Sequence, residues 1–578
     1  MGVFAQAHGD SVLEALMNGR TLTWVGTAAA AVSLALAACA GGDVGSGAPA
    51  GATLRYFTAE PAFLFPGMTI DAEGIAVLNA LFSPLIGHDA ETGEPYPVVA
   101  SELPSSDDGV TWTIKIADGW TFHNGEPVTA RSFIDAWNWT AYGPNAATDN
   151  WYFGPGMADI KGYADVQGGV DPDADGPQEA PRPGTDSMSG LQEVDALSFT
   201  VTLAHPRSQF PLMLGHPAFY PLPATCIDDW EACNEAPIGN GPFKMNGTWE
   251  HDHRINVVAY ERYAGQAPSI GGVEFRISAD AQVGYADLED GQLDFMIGIP
   301  AEMIGSARAA LGDRLIDEPA NAFFFLAFPL WDDRFGFGGA ETDYGGEAGQ
   351  NLRHALSMAI DRQGLIDTVY GGVRTPADAL VPPGVAGDNG GCGAWCRYDV
   401  AAAKELYDAS PGIDGPIDIW HPDIPTTTAQ GLNGVAKSWR DAFGIEVEFH
   451  VIGWSDLLQG QGDHTLNGPF PLGWLMDYPS PETFLSFLYG EGPGEENFGY
   501  IDDEVNALLA SAASATTVEA GVELFARAEN QILEDMPVIP LHFANIVGGF
   551  SDRVGNVSLD PYGRLDFATV TVRGMPAT

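Results

Sequence analysis

At 578 residues the chain is too long for one ordinary core, so roughly two to four domains are expected. A composition of 45% hydrophobic, 11% aromatic and 18% charged residues excludes wholesale disorder. With 78 acidic against 25 basic side chains, the formal net charge of -53 would repel nucleic acid and anionic lipid surfaces, which excludes both as partners of the folded part.

Residues 21–38 form a mostly apolar run behind Arg20, the pattern of an export-signal core rather than of a span that stays in the membrane. The run ends Leu36-Ala37-Ala38-Cys39-Ala40-Gly41-Gly42, which resembles a bacterial lipobox, small residues before a cysteine that takes a thioether lipid. Residues 1–38 are therefore expected to be a signal peptide and Cys39 a lipidation site. Asp10 and Glu14, with no positive charge before Arg20, suit a signal poorly and make Met17 an alternative start. Residues 39–52, rich in Gly, Ala and Ser, read as a lipidated flexible tether. Two or more acyl chains would anchor the protein without spanning, on the extracytoplasmic side of the cell membrane. No later stretch offers the roughly 20 uninterrupted apolar residues of a bilayer helix.

Four further cysteines remain. In an oxidising compartment two local bridges, Cys226 with Cys233 and Cys392 with Cys396, are the simplest pairing; a zinc site lacks a second pair near Cys392 and Cys396 in sequence.

In chain order, 53–57 reads as an opening strand and 74–82 as a helix with Ile75, Leu78 and Phe82 on one face. Trp112, Ile114 and Ile116 alternate with polar residues as a half-buried strand, and Thr129 caps a helix bearing Phe133, Ala136 and Trp137. Gly, Pro and Asp between 159 and 189 predict a long surface loop. Strands follow at 199–203 and 255–260, and His251-Asp252-His253 before the latter reads as a solvent-facing turn rather than a chelate. Leu352, Ala355, Leu356, Ala359 and Ile360 mark an amphipathic helix. Its successor, with Leu365, Ile366 and Val369, stops at Gly371-Gly372. A helix at 400–409, a strand at 444–451, a late helix through Val522, Phe525 and Ile532 and an apolar strand at 538–543 complete an α/β chain.

Several of these segments carry specific motifs. They include Gly119-Trp120-Thr121-Phe122-His123-Asn124-Gly125-Glu126-Pro127-Val128-Thr129-Ala130 after an Asp-Gly turn and an alternating strand, Pro237-Ile238-Gly239-Asn240-Gly241-Pro242-Phe243, and the run from Asn351 to Arg362. On these the chain, over roughly 53–570, resembles the family 5 solute-binding proteins of ABC importers, the oligopeptide- and dipeptide-binding group. The resemblance implies an α/β, periplasmic-binding-protein-like (type II, cluster C) bilobal fold with an extra inserted domain and a hinge-closing cleft. Lobe I would comprise 53–82, 223–317 and 541–578, lobe II the insertion 83–222, and lobe III 318–540. The chain would cross between halves at 318–327 and 537–543, with ligand held between lobes I and III.

The residues Trp474, Met476, Asp477 and Tyr478, before Pro479 and Pro481, form the candidate site. A strand carrying Trp474 and Asp477 would end at Pro479, since proline cannot donate to a ladder. By themselves these residues read first as a surface turn starting at Asp477, with the aromatics as core. The family's oligopeptide members use an aspartate in a Trp-x-x-Asp-Tyr setting for the peptide ammonium, and Trp474, Asp477 and Tyr478 match it; Glu60 falls near an acidic position at the cleft mouth. Ser480 and Pro471 depart from family patterns, an acid or amide and an arginine respectively, which bear on peptide length and carboxylate recognition.

An enzyme is not expected. No Gly-x-Ser-x-Gly, His-Glu-x-x-His or Walker motif occurs, and His421, His450, His464 and His542 are isolated in sequence. The leading expectation is a monomeric, lipid-anchored receptor that binds peptide and delivers it to an ABC permease and its ATPase subunits, without cofactor or resident metal. A non-peptide solute on the same fold, an oligosaccharide or a chelated metal such as nickel, is the alternative; a surface sensor or enzyme built on converging histidines is a third.

Overall fold

The computed structural model describes residues 51–573, except 91, 170–180, 337–345, 386, 388–390 and 423–425; the expected signal peptide, most of the tether and Cys39 lie outside the described residues. A nine-stranded mixed sheet organises the molecule. Its strands are β1 (Thr53–Thr58), β2 (Phe243–Met245), β3 (Arg254–Ala259), β4 (Gly272–Ile277), β5 (Phe295–Ile297), β6 (Leu315–Ala327), β7 (Arg374–Pro376), β8 (Phe470–Leu475) and β9 (Val538–Phe550). They run in the order β8-β6-β9-β5-β1-β4-β3-β2, with β7 also paired to β9. β1 is parallel to β4 and β5, whereas β6, β8 and β9 pair antiparallel.

Two large apolar cores flank this sheet. One gathers Leu54, Trp137, Phe219 and Phe275 with C-terminal Phe567; the other gathers Phe325, Leu356, Trp439, Phe484 and Phe525. β6 and β9 run from one to the other: Ile316 packs in the first core and Phe325 and Ile539 in the second. Each is 13 residues long. The stretch expected at 538–543 therefore continues seven residues further, because alternation gives way to Gly548-Gly549, which pair with β5 and β6 where a side chain would collide.

Most expected elements form near their predicted positions. The strand at Trp112 spans Thr111–Lys115, the capped helix spans Ala130–Ala141, and the helix through Leu356 spans Gly346–Met358. Thr129 N–H donates to Ser132 Oγ at 3.1 Å, closing the first turn of the capped helix. Of the 159–189 loop, the described residues hold one short 3-10 turn, Ala164–Val166. Cys226 is bonded to Cys233 and Cys392 to Cys396, with Cα atoms 5.5 and 5.7 Å apart.

The two sharpest motifs meet each other. Gly239 N–H donates to His123 Nδ1 at 3.1 Å, His123 Nε2 faces the Gly241 carbonyl at 3.2 Å, and His123 N–H donates to the Gly239 carbonyl. Burial holds the His123 imidazole down to about 4, so it is neutral, as this pairing of one acceptor and one donor nitrogen requires. Asn240 is buried and exchanges two hydrogen bonds with the Ser83 backbone. A Cβ on Gly239 would strike the Leu81 carbonyl, where the end of the helix Ala72–Leu81 lies against this loop. Gly239→Ala is expected to cost about 2–3 kcal/mol by forced backbone displacement. A lowered urea midpoint checks it, and an unchanged midpoint contradicts it.

Candidate ligand-binding site

β8 lies at the edge of the sheet, paired with β6 on one side only. Its register sets Gly473 opposite Phe324 and Trp474 opposite Phe323; the Phe324 ring lies where a Cβ on Gly473 would stand. The strand ends at Leu475 rather than at Pro479 as expected, and Asp477 lies beyond the ladder. On its other side, β6 slips register against β9 between Pro319 and Phe323. The Asn321 carbonyl accepts from Met476 N–H at 2.9 Å, and its amide donates to the Pro561 carbonyl.

Beyond the strand, Ser480 caps the helix Pro481–Tyr489, accepting from Glu482 N–H at 3.1 Å. Thr483, in the first turn, donates its hydroxyl to Asp477 Oδ2 at 2.9 Å. That is the only hydrogen bond made to the Asp477 carboxylate among the described residues, and no cationic side chain there comes within ion-pairing distance. Burial pushes the Asp477 carboxyl up to about 6, opposed by the Thr483 hydrogen bond.

Around Asp477 the structure gathers groups absent from the sequence expectation. Burial raises the Tyr152 phenol far above its ordinary value, and the charges of Asp477 and Asp149 raise it further. Tyr562 is raised by burial too, with Asp477 among its neighbours, and its buried hydroxyl has no hydrogen-bond partner among the described residues. Neither does the Trp474 indole N–H. Asp149 is fully buried, both its carboxylate oxygens lack partners there, and burial pushes it up to about 8, so it is protonated near neutral pH. Thr483 could have been found in sequence, as the third helical residue behind a Ser-Pro cap; nothing in the sequence points from 152 or 562 to 477.

The other expected site residues are placed differently. Tyr478 is fully buried, and its hydroxyl donates to Glu482 Oε2 at 2.7 Å, which braces the first turn of the helix behind Asp477. Glu60 makes no bond to the Asp477 cluster; it faces His251 at 2.8 Å and accepts from Asp252 N–H at 2.9 Å. His251 in turn reaches Glu235 at 3.0 Å, and those carboxylates raise its pKa, Glu60 first. The turn at 251–253 is exposed, as expected.

A second His-carboxylate group, Asp418, Glu448 and His450, brings its donor atoms all within 4.8 Å of one another. His450 Nε2 stands 2.7 Å from Asp418 Oδ1, and the Arg334 guanidinium is 4.0 Å from Oδ2. Asp418 is thus held by His450 and lies beside the Arg334 guanidinium. No helix among the described residues is long and apolar enough to cross a membrane.

Comparison with known proteins sets this geometry in context. The family model for bacterial extracellular solute-binding proteins, family 5, matches residues 94–496. The oligopeptide-binding protein OppA of Bacillus subtilis is 26% identical over 540 residues, covering 88% of this chain and 92% of its own length. The dipeptide-binding protein DppE of the same organism is 24% identical over 493 residues, 82% of this chain and 83% of its own. Among solved structures, the periplasmic murein tripeptide-binding protein MppA in its unliganded open form superposes with a TM-score of 0.78 at 21% identity, covering 91% of this chain and 99% of its own.

Proposed function

Since the chain belongs to the family 5 bacterial extracellular solute-binding proteins, which bind and do not transform their solutes, we propose that its solute is a peptide whose ammonium terminus pairs with Asp477. One observation carries this: a half-buried Asp477 carboxylate, held by one hydroxyl and raised by its partial desolvation, with no cation to meet it among the described residues. An unpaired buried charge is costly, and a bound ammonium removes that cost. The setting supports an extended ligand. β8 has a free edge leading to Asp477, and an added strand there would take main-chain hydrogen bonds with little regard for side chains. The names of the relatives OppA and DppE agree with this reading.

Closure would bend the molecule where β6 and β9 pass between the two cores, the ligand favouring the closed state by touching both sides. Lipid anchoring through Cys39 and delivery to an ABC permease complete the proposal. Calorimetry with trialanine tests it: heat is expected for the free peptide and none for its N-acetyl form. Equal affinity for both would refute the ammonium pairing. Mass spectrometry of what co-purifies in the cleft would reveal a non-peptide solute directly.

A further inference from the structure

The short segment 207–209, which leads from the strand Ser198–Thr202 into the helix Phe210–Met213, reaches across to the candidate site and fastens to it. Arg207 places Nη1 3.0 Å from Glu482 Oε1. Glu482 is 3% exposed and Arg207 16%, so this pair is largely withdrawn from solvent. The other oxygen of Glu482 receives the Tyr478 hydroxyl at 2.7 Å. Gln209 Oε1 accepts from the Ser480 hydroxyl at 3.1 Å, and its amide donates to the Val518 carbonyl at 3.1 Å. Ser208 closes the set, its N–H and its hydroxyl each 2.7 Å from carbonyls of Ala513 and Ala512, at the end of the helix Asp503–Ala513. Ser208, Gln209, Ser480 and Thr483 are each fully buried.

We infer that Arg207 and Gln209 are positioning residues for ligand capture: they hold the 477–483 turn in the one arrangement that aims the Asp477 carboxylate. The chain of contact is short. Arg207 fixes Glu482, Gln209 fixes Ser480, and these set the first helical turn. Thr483 in that turn orients Asp477 Oδ2. Buried polar networks of this kind specify one geometry, since each member left unmatched is penalised. The remaining helix-cap and strand-end contacts hold Asp477 from its own side only; the 207–209 segment supplies the second side, from a stretch some 270 residues earlier in the chain.

This inference rests on the ammonium-pairing reading of Asp477 for its functional consequence, but its structural part is testable without ligand. Hydrogen exchange of the full chain reads amides 476–484 in the wild type, Arg207→Met and Arg207→Lys. Exchange there is expected to quicken about tenfold or more in R207M and to stay near wild type in R207K. Unchanged local protection in R207M, even with a lower melting temperature, overturns the inference. With trialanine as probe, R207M is expected to bind about tenfold more weakly, yet to add no loss on the Asp477→Asn background, because the group it aims is gone. Equal losses on both backgrounds overturn it as well. If R207M does not fold, Gln209→Leu is read in the same two ways. Failure of wild-type protein to bind trialanine counts against the peptide reading, and the exchange result then decides this inference alone.

Discussion

Asp477→Asn is expected to weaken trialanine binding by about 3 kcal/mol, roughly 150-fold, because truncating one member of a desolvated charge pair strands the other. The same change should make the ligand-free protein more stable. A carboxyl raised to about 6 in the fold and near 4 unfolded is penalised by roughly 3 kcal/mol once it is fully ionised. The sign follows from that order. Below about pH 4 the group is protonated in both states and contributes nothing, the penalty grows between about pH 4 and 6, and above about 6 it is complete. The melting temperature of D477N should therefore exceed wild type at pH 7.5, and the gap should close toward pH 4. Ligand affinity runs the same way. The ammonium pairs with the ionised carboxylate, so wild-type affinity should be greatest at about pH 6.5–7, ease off toward pH 8 as the peptide's α-amino group loses its proton at about 8, and fall close to tenfold per unit below about 5.5. D477N should lack that slope. Calorimetric titrations across pH 4.5–8 check both, and a flat wild-type profile would place the ligand's charge elsewhere.

What sequence could reveal here was local or motif-bound. The alternation around Trp112, the cap at Thr129 and the periodicity through Leu356 are written in neighbouring residues, and each formed an element where expected. The motifs around His123 and Gly239 were recognisable as a pattern, but their reason was not: one ring nitrogen accepts and the other faces a carbonyl across more than a hundred residues. Asp477 was found because its aromatic and proline neighbours are conspicuous. Its isolation from any cation was not legible, since that depends on which distant side chains fail to arrive. The same long-range placement turned Tyr478 away toward Glu482 and committed Glu60 to His251. It also ended β8 at Leu475, with Met476 N–H held by the Asn321 carbonyl of a partner strand that no reading of 470–479 alone contains.

The largest purely structural effect is expected at Asp294, a residue with no motif around it. Its carboxylate is fully buried and takes two hydrogen bonds from the Arg55 guanidinium, at 2.7 and 2.8 Å, and one from Arg55 N–H at 3.0 Å. Ser551 and Arg553 reach it from beyond the end of β9, at 3.1 and 3.2 Å. One side chain thus fastens β1, the start of β5 and the exit of β9, three neighbours in the sheet. Burial alone would raise this carboxyl, but the Arg55 hydrogen bonds outweigh it and the pKa is lowered. Asp294→Ala leaves two arginines facing a void and should cost about 3–5 kcal/mol. The pH dependence is opposite to that of Asp477. A depressed pKa contributes stability that is present above about pH 4 and is lost as pH falls through the folded-state value, so the deficit of D294A should be constant from about pH 5 to 8 and shrink only in stronger acid. Urea melts followed by tryptophan fluorescence check the size, and the acid series checks the cause. Because β9 also pairs with β6 beside Asn321, D294A should loosen the hinge strands and weaken trialanine binding without changing the pH at which binding falls. A shifted pH midpoint would mean that Asp294 acts on the Asp477 carboxylate itself, not on the frame that carries it.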